Sequence, residues 1–259
     1  MTARDHVLIT GAAGAIGGAL ARQMRRAWPA ARLALLDRER PAIEQLASEL
    51  GGDVTVHEVD LRALETLPSL VEAVVAAGGA LDGLVNCAGV MRVQQLHTWE
   101  WQEAQDLVAI DLLAPLRLQD LVVRGMVERR RGLIVNVASM AGKVPLKGCA
   151  YYGASKAGLA MASEIARADL APHGVQVVTV YPGPVRSALE QGARDAYGGG
   201  GLLGRFAPTG DPEELARRIL AAVERDEPRV IYPRLYGVGW SATNLSSWIT
   251  LSYGPPPVA

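Results

Sequence analysis

Near its start the chain passes from an apolar run directly into a glycine- and alanine-rich turn, and few folds accept that order. Val7, Leu8, Ile9 and Thr10 are followed by Gly11-Ala12-Ala13-Gly14-Ala15-Ile16-Gly17, and then by Ala19, Leu20 and Met24 at helical spacing. The pattern predicts a buried strand, a glycine-rich turn and a helix start. Glycines let backbone approach a pyrophosphate, and the helix N-terminus offers free N–H groups to it. An ordinary tight strand-to-helix turn would look similar, and the residues downstream decide between the two. A second strand-like run, Arg32 to Leu36, ends at Asp37, about 20 positions on. A carboxylate there binds adenosine ribose hydroxyls and repels a 2′-phosphate. Like charges at ~4 Å cost about 1 kcal/mol in water and about 4 kcal/mol at an effective dielectric of 20. NAD is therefore expected to be favoured over NADP, with Arg38 and Arg40 placed to offset part of the repulsion.

Strand-like runs recur at His6–Thr10, Arg32–Leu36, Val54–Glu58, Gly83–Asn86, Gly132–Val137, Val175–Val180 and Val230–Tyr232, with helical patterns between most of them. Such alternation predicts an α/β fold: a Rossmann-type, doubly wound parallel sheet of about seven strands, helices on both faces, and ligand across the carboxyl ends of the strands. At 259 residues and 49% hydrophobic content, one domain over 1–259 is expected, with a sizeable core. Pro41 suits a first helical turn, and Asp211-Pro212-Glu213-Glu214 reads as a capped helix start. Thr98–Arg129 reads as one long helical stretch interrupted at Pro115, apolar on more than one face.

The chemistry is concentrated at Tyr152-Gly153-Ala154-Ser155-Lys156, with Ser139 thirteen residues before the tyrosine. On a helix, positions i and i+4 share a face, so a phenol and an ammonium point into the same space. A free tyrosine titrates near ~10, too high for a base at neutral pH. Lowering that by about 2–3 units requires roughly 3–4 kcal/mol, part of which a nearby cation supplies by favouring the phenolate. The arrangement suits proton transfer to or from an alcohol or carbonyl oxygen. An isolated Tyr-x-x-x-Lys is usually a half-buried tyrosine beside a solvated lysine; here it is not isolated.

From about His6 to Tyr232 the chain resembles the short-chain dehydrogenase/reductase family, single-domain branch. Asn86-Cys87-Ala88-Gly89 resembles that family's turn after the fourth strand, Asp60-Leu61 its adenine-contacting pair, and Pro182-Gly183-Pro184-Val185-Arg186-Ser187 the segment that holds the nicotinamide carboxamide. The resemblance implies cofactor contacts from Gly11, Ala13, Gly14, Ala15, Ile16, Gly17, Asp37, Arg38, Asp60, Leu61, Asn86, Ala88, Gly89, Tyr152, Lys156, Pro182, Gly183, Val185 and Ser187. It implies catalysis by Ser139, Tyr152 and Lys156, assisted by Asp111. The expected activity is hydride transfer between a nicotinamide cofactor and an alcohol or ketone, in a homodimer or homotetramer. A non-catalytic dinucleotide-binding sensor or scaffold, or an epimerase or dehydratase retaining its cofactor, are the alternatives. Two positions depart from the family pattern. Ala15 stands where the usual spacing has glycine, and Asp111 stands where the family places a catalytic asparagine. Asparagine donates and accepts, whereas an ionised aspartate only accepts. Asp111 is thus read as preserving the proton relay, as weakening it, as helping to hold Lys156 charged, or as a polar residue fixing a helix kink.

The remaining sequence sets bounds. Formal net charge is −1, with 26 basic and 27 acidic residues, so no basic field favours nucleic acid. No leader or membrane span is expected, and cytoplasmic location is the simplest reading. Cys87 and Cys149 make no disulfide framework, and His6, His57, His97 and His173 show no metal-ligand spacing, so no metal is expected. Arg129-Arg130-Arg131 reads as a solvated helix end. Residues 187–210, with four glycines at 198–201, are expected to form a substrate lid. The apolar, aromatic segment 234–259 is expected to pack on the domain or on a neighbouring subunit.

Overall fold

The computed structural model describes residues 5–198 and 208–257. Its strands are β1 His6–Thr10, β2 Arg32–Asp37, β3 Val54–Glu58, β4 Gly83–Asn86, β5 Gly132–Val137, β6 Val175–Pro182 and β7 Arg229–Tyr232. They form one parallel sheet in the order β3-β2-β1-β4-β5-β6-β7. Every strand points the same way, and the order reverses between β1 and β4, which opens a crevice at their carboxyl ends.

Successive strand residues face opposite sides. Val7 and Ile9 of β1 pack with Leu20 and Met24 of α1 (Ala15–Ala27) and with Leu215 and Ile219 of α8 (Pro212–Glu224). Leu8 packs on the other face, with Leu67 and Val74 of α3 (Leu67–Gly78) and Leu118 and Met126 of α5 (Ala114–Glu128). Both faces of the sheet are therefore dry, which accounts for the near-continuous apolar strand runs. The remaining helices are α2 Arg40–Leu50, α4 Trp101–Val108, α6 Ala150–Leu170, α7 Ala188–Ala196, α9 Tyr236–Ser241 and α10 Thr243–Tyr253. Pro41 lies in the first turn of α2, and Asp211 Oδ1 caps α8 by accepting the Glu214 amide at 3.0 Å.

Under the crevice lies a buried uncharged ladder. Asn86 Nδ2 donates to Asn136 Oδ1 (2.9 Å) and to the Pro115 carbonyl (3.4 Å). Asn136 Nδ2 donates to Ser163 Oγ (3.0 Å) and Gln119 Oε1 (3.2 Å), and the Ser163 and Thr179 hydroxyls meet at 2.7 Å. The ladder ties β4, β5 and β6 to α5 and α6.

Three sequence expectations are corrected. The stretch 98–129 is not a helix broken at Pro115: a short 3₁₀ turn ends at Thr98, α4 starts at Trp101, and a π-helical segment Ala109–Leu113 precedes α5. Pro115 sits in the first turn of α5, where a missing N–H costs little, so the widened turn falls just before it. The arginine run is not merely solvated. Arg129 donates to the Leu81 carbonyl, Arg130 to the Pro172 carbonyl, and Arg131 pairs with Asp5 and Asp82. The turn into β5 carries these side chains against neighbouring connections at the amino ends of the strands. Strand β6 also runs past its predicted end, to Pro182, and β7 starts one residue earlier, at Arg229. Of the glycine run 198–201, Gly199–Gly201 lie outside the described residues.

Candidate active site

The turn after β1 is built so that only bare backbone fits. Gly11 has φ +67°, and a Cβ there would stand 2.7 Å from Ala88 backbone atoms. A Cβ on Gly17 would stand 2.1 Å from the Gly11 carbonyl oxygen. Gly14 is the N-cap of α1 and offers no side-chain cap, so the first helical N–H groups face outward toward the cleft. Thr10 closes the turn from the other side: its Oγ1 accepts the Cys87 and Ala88 amides, each at 3.1 Å. This packed, positive-ended cradle fits a pyrophosphate. Ala15 opens α1 and lines the cleft with its methyl group.

Asp37 stands where β2 ends. Its Oδ2 accepts the Ala13 amide (3.0 Å), and its Oδ1 accepts the Arg38 (2.8 Å) and Glu39 (3.2 Å) amides. The carboxylate is thereby fixed at the edge of the cradle, fitting an adenosine ribose. Arg38 is exposed and pairs with Glu39 at 3.3 Å. Asp60 is held by Arg62, which also reaches Asp106 of α4 at 3.0 Å. Hydrogen bonds from Arg62 keep the Asp60 carboxyl below its ordinary value.

From this end a cleft of about 1130 Å³ runs across the carboxyl ends of the strands to Tyr152 and beyond. It is lined by Gly11, Ala13–Gly17, Asp37, Arg38, Asp60, Leu61, Ala88, Gly89, Ser139, Tyr152, Lys156, Pro182, Gly183, Val185 and Ser187. Asn86 and Asp111, both expected at the site, do not line it. Asn86 is turned into the buried ladder, because its position ends a central strand and its amide has partners there. Asp111 lies fully buried behind the lysine. Ser187 lines the cleft, but its hydroxyl caps α7, accepting the Glu190 amide (3.1 Å) and donating to the Val185 carbonyl (3.0 Å).

Tyr152 and Lys156 lie one turn apart on α6, and Ser139 stands just past the end of β5, its Oγ accepting the Ala141 amide at 3.1 Å. Lys156 Nζ donates to the Val137 carbonyl (3.3 Å), lies 3.4 Å from Asp111 Oδ2, and sits 5.9 Å from the centre of the Tyr152 ring. Burial pushes the Lys156 ammonium down, but Asp111 and Tyr152 more than offset this and raise it. Burial raises the Asp111 carboxyl, against the pull of Lys156 and the Val90 amide. For Tyr152 the outcome differs from the expectation. Burial raises the phenol, Lys156 lowers it, Asp111 raises it again and a hydrogen bond with Ser139 lowers it; the net direction is upward. The pull of the ammonium is outweighed by the burial of the phenol, to which the Asp111 carboxylate adds. Cys87 lines the cleft, and burial pushes its thiol up to about 12, so it stays a neutral wall residue.

The far end of the cleft is apolar, with Met91, Met140, Val144, Leu146 and Ile249 on its walls. The C-terminal segment closes it from its own domain. Thr250 Oγ1 donates to the Pro145 carbonyl (2.8 Å), Lys147 Nζ to the Gly254 carbonyl (3.0 Å), and Trp240 packs edge-on against Tyr181 at 4.4 Å. Tyr197, at the end of α7, donates to the Lys147 carbonyl at 2.5 Å and touches Cys149 Sγ at 3.3 Å. Sequence reasoning gave no role to Thr10, Arg62 or Tyr197. Thr10 and Arg62 adjoin recognised motifs, whereas nothing local marks Tyr197.

A glycine cradle, a carboxylate fixed at its edge and a Ser–Tyr–Lys set on one parallel sheet fit a dinucleotide-dependent α/β oxidoreductase. Comparison with known proteins places it more closely. Residues 5–198 match the short chain dehydrogenase family. D-threitol dehydrogenase of Mycolicibacterium smegmatis is 35% identical over 215 residues, 81% of this chain and 82% of that protein. Among solved structures, a metagenomic short-chain oxidoreductase in complex with NADP is 30% identical, with TM-score 0.72 over 88% of this chain and 96% of that one. The bulky-bulky ketone specific alcohol dehydrogenase from Comamonas testosteroni is 25% identical, with TM-score 0.78 over 98% and 96%. The chain belongs to the short-chain dehydrogenase family, and is an NAD(P)-dependent oxidoreductase of alcohols and ketones. Among the described residues no helix is long and apolar enough to cross a membrane, and no cluster of ligating side chains suits a metal.

Proposed function

We propose that this enzyme interconverts a bulky, largely apolar alcohol and its ketone, with NAD(H) used in preference to NADP(H). The observation that carries the reading is the convergence of Ser139, Tyr152 and Lys156 on the stretch of cleft between the glycine cradle and the apolar end. A nicotinamide dinucleotide in the cradle supplies the hydride chemistry. Ser139 and Tyr152 hold the substrate oxygen, and Tyr152 moves the proton, as acid in reduction and base in oxidation. Lys156 keeps the phenolate stable when it forms and is placed to bind the nicotinamide ribose. Pro182, Gly183 and Val185 wall the nicotinamide end.

NAD preference is supported by Asp37, whose carboxylate is fixed by three backbone amides at the ribose position. The substrate class is supported by the apolar far wall and by α10, which brings Ile249 into it; the likeness to a bulky-ketone dehydrogenase agrees. Helix α7 acts as the lid, and Tyr197 is its latch. Exposed Met161 and Ile165 on α6 and Leu113 beside α5 form the face through which copies associate. Two free cysteines fit a reducing compartment such as the cytoplasm.

The test is a panel of alcohols and ketones of graded size with both cofactors, read by absorbance of the reduced nicotinamide. Bulky aryl or alicyclic ketones turned over faster with NADH than with NADPH support the reading. Turnover restricted to small polyols, or to NADPH, refutes its substrate or cofactor half respectively.

A further inference from the structure

Asp111 is the charge in this site that the hydride reaction does not call for. The π-helical turn Ala109–Leu113 inserts one residue into the helical repeat and carries Asp111 into the protein, where it is fully buried. Its Oδ1 accepts the Val90 amide at 2.8 Å, and its Oδ2 faces Lys156 Nζ at 3.4 Å. Gly89 makes room for the pair, since a Cβ there would lie 3.1 Å from Nζ and 3.5 Å from Oδ1. The groups that face Tyr152 come from every side: Lys156 on its own helix, Asp111 from the π segment, Ser139 after β5, and Cys149 from the loop before α6. Cys87, after β4, faces Lys156. Burial raises both thiols, which therefore stay neutral. Among the described residues, the full charges that act on the phenol are thus the ammonium and the carboxylate, and the carboxylate opposes the larger pull of the ammonium.

We propose that Asp111 is a positioning residue that sets the pH at which Tyr152 gives up its proton: by pairing with Lys156 it offsets part of the ammonium's field at the phenol and, together with the burial of the site, holds the Tyr152–Lys156 pair in its acid form through neutrality. The free enzyme then presents the protonated phenol that carbonyl reduction needs. Reduction is flat with pH across neutrality, and alcohol oxidation, which needs the phenolate, climbs into the alkaline range. The upward direction of the Tyr152 phenol agrees with this. The proposal rests on Tyr152 being the proton carrier.

The experiment uses Asp111→Asn, nearly isosteric and still able to accept the Val90 amide. Two quantities are followed with pH: kcat/KM for oxidation, and the phenolate ultraviolet absorbance of the cofactor-free protein, taken as a difference against Tyr152→Phe in each background. Removing the carboxylate is expected to lower both transitions by about one unit or more, a tenfold or greater change in proton affinity. A loss of kcat or of thermal stability with both transitions unmoved would make Asp111 structural and overturn the proposal. Asp111→Ser removes the same charge and serves if the asparagine variant does not fold. The wild type supplies a further check: oxidation already at its plateau at or below neutral pH also overturns the proposal. Turnover surviving Tyr152→Phe would instead remove the underlying reading. The absorbance titration of Tyr152 does not depend on turnover, so the two failures are distinguishable.

Discussion

Replacing Asp37 by asparagine tests the proposed basis of cofactor choice, because it removes the charge while leaving most of the backbone contacts. In the wild type Oδ1 accepts from Arg38 and Glu39, and Oδ2 from Ala13. An asparagine oxygen keeps the first two bonds, and its amide, a donor, loses the third. NAD binding should therefore weaken modestly, through the glycine turn. The larger effect is on NADP. A unit charge about 4 Å from Asp37 costs about 1 kcal/mol in water and about 4 kcal/mol at an effective dielectric of 20. Asp37 is half-exposed with Arg38 alongside, so the low part of that span applies, about 1.5–2.5 kcal/mol. At ~1.36 kcal/mol per decade this is roughly a 10–70-fold change. Initial rates with each cofactor give kcat/KM, and the NAD-to-NADP ratio should fall by that factor. The change should shrink at high salt, because the site is open to counterions. An unchanged ratio in Asp37→Asn, or a wild type that prefers NADP, refutes the assignment.

Other variants test separate parts of the molecule. Tyr152→Phe should abolish turnover while leaving NAD(H) affinity, measured by fluorescence titration, near that of the wild type. Gly17→Ala would place a Cβ 2.1 Å from the Gly11 carbonyl oxygen; opening the turn costs about 1–3 kcal/mol, and both the thermal midpoint and NAD(H) binding should fall. Ile249→Trp should raise KM for the largest ketones far more than for small ones; a uniform effect across the panel would take α10 out of the substrate wall. Glu164 is bonded by Arg229 at 2.5 and 2.7 Å and by the Tyr181 hydroxyl at 3.1 Å. Burial pushes the Glu164 carboxyl up, but Arg229 more than offsets it, and the net direction is down. A depressed carboxylate contributes stability above its unfolded value near ~4.3 and loses it as pH falls through the folded value. Glu164→Gln should thus lower stability by about 1 kcal/mol at neutral pH, discounting for the exposure of Arg229, and the gap in thermal midpoint should close as pH drops below about 4. A gap unchanged by acid would rule out the ion pair as its source.

The sheet was almost wholly legible from sequence because its central strands are buried on both faces and all seven are bounded by turns, so apolar runs mark them even where the edge strands β3 and β7 are only partly covered. The glycine cradle was legible for a related reason: Gly11 and Gly17 are sites where no Cβ fits, and that need leaves its mark on the residues used. The helix around Asp111 was not. A π turn has no periodicity of its own, and Pro115 offered a nearer explanation for any break. Asn86 sat within a recognised motif, yet its amide is spent inside the protein; a motif gives residue types without saying which way they point. The net rise of the Tyr152 phenol depends on burial and on a carboxylate forty-one positions away in sequence, neither of which Tyr-x-x-x-Lys spacing carries. The tail's docking on its own domain rests on single contacts such as Thr250 to Pro145, for which sequence has no signal.

The uncharged ladder beneath the crevice has a bearing on how this scaffold can change. Asn136 donates to two neighbours and accepts from a third, so exchanging it alone strands several polar groups in a dry layer, at about 1–3 kcal/mol for each. Replacement is tolerable only when adjoining members change together. Substitutions here should therefore arise as matched sets, leaving the floor of the cleft fixed while its outer walls diversify one residue at a time.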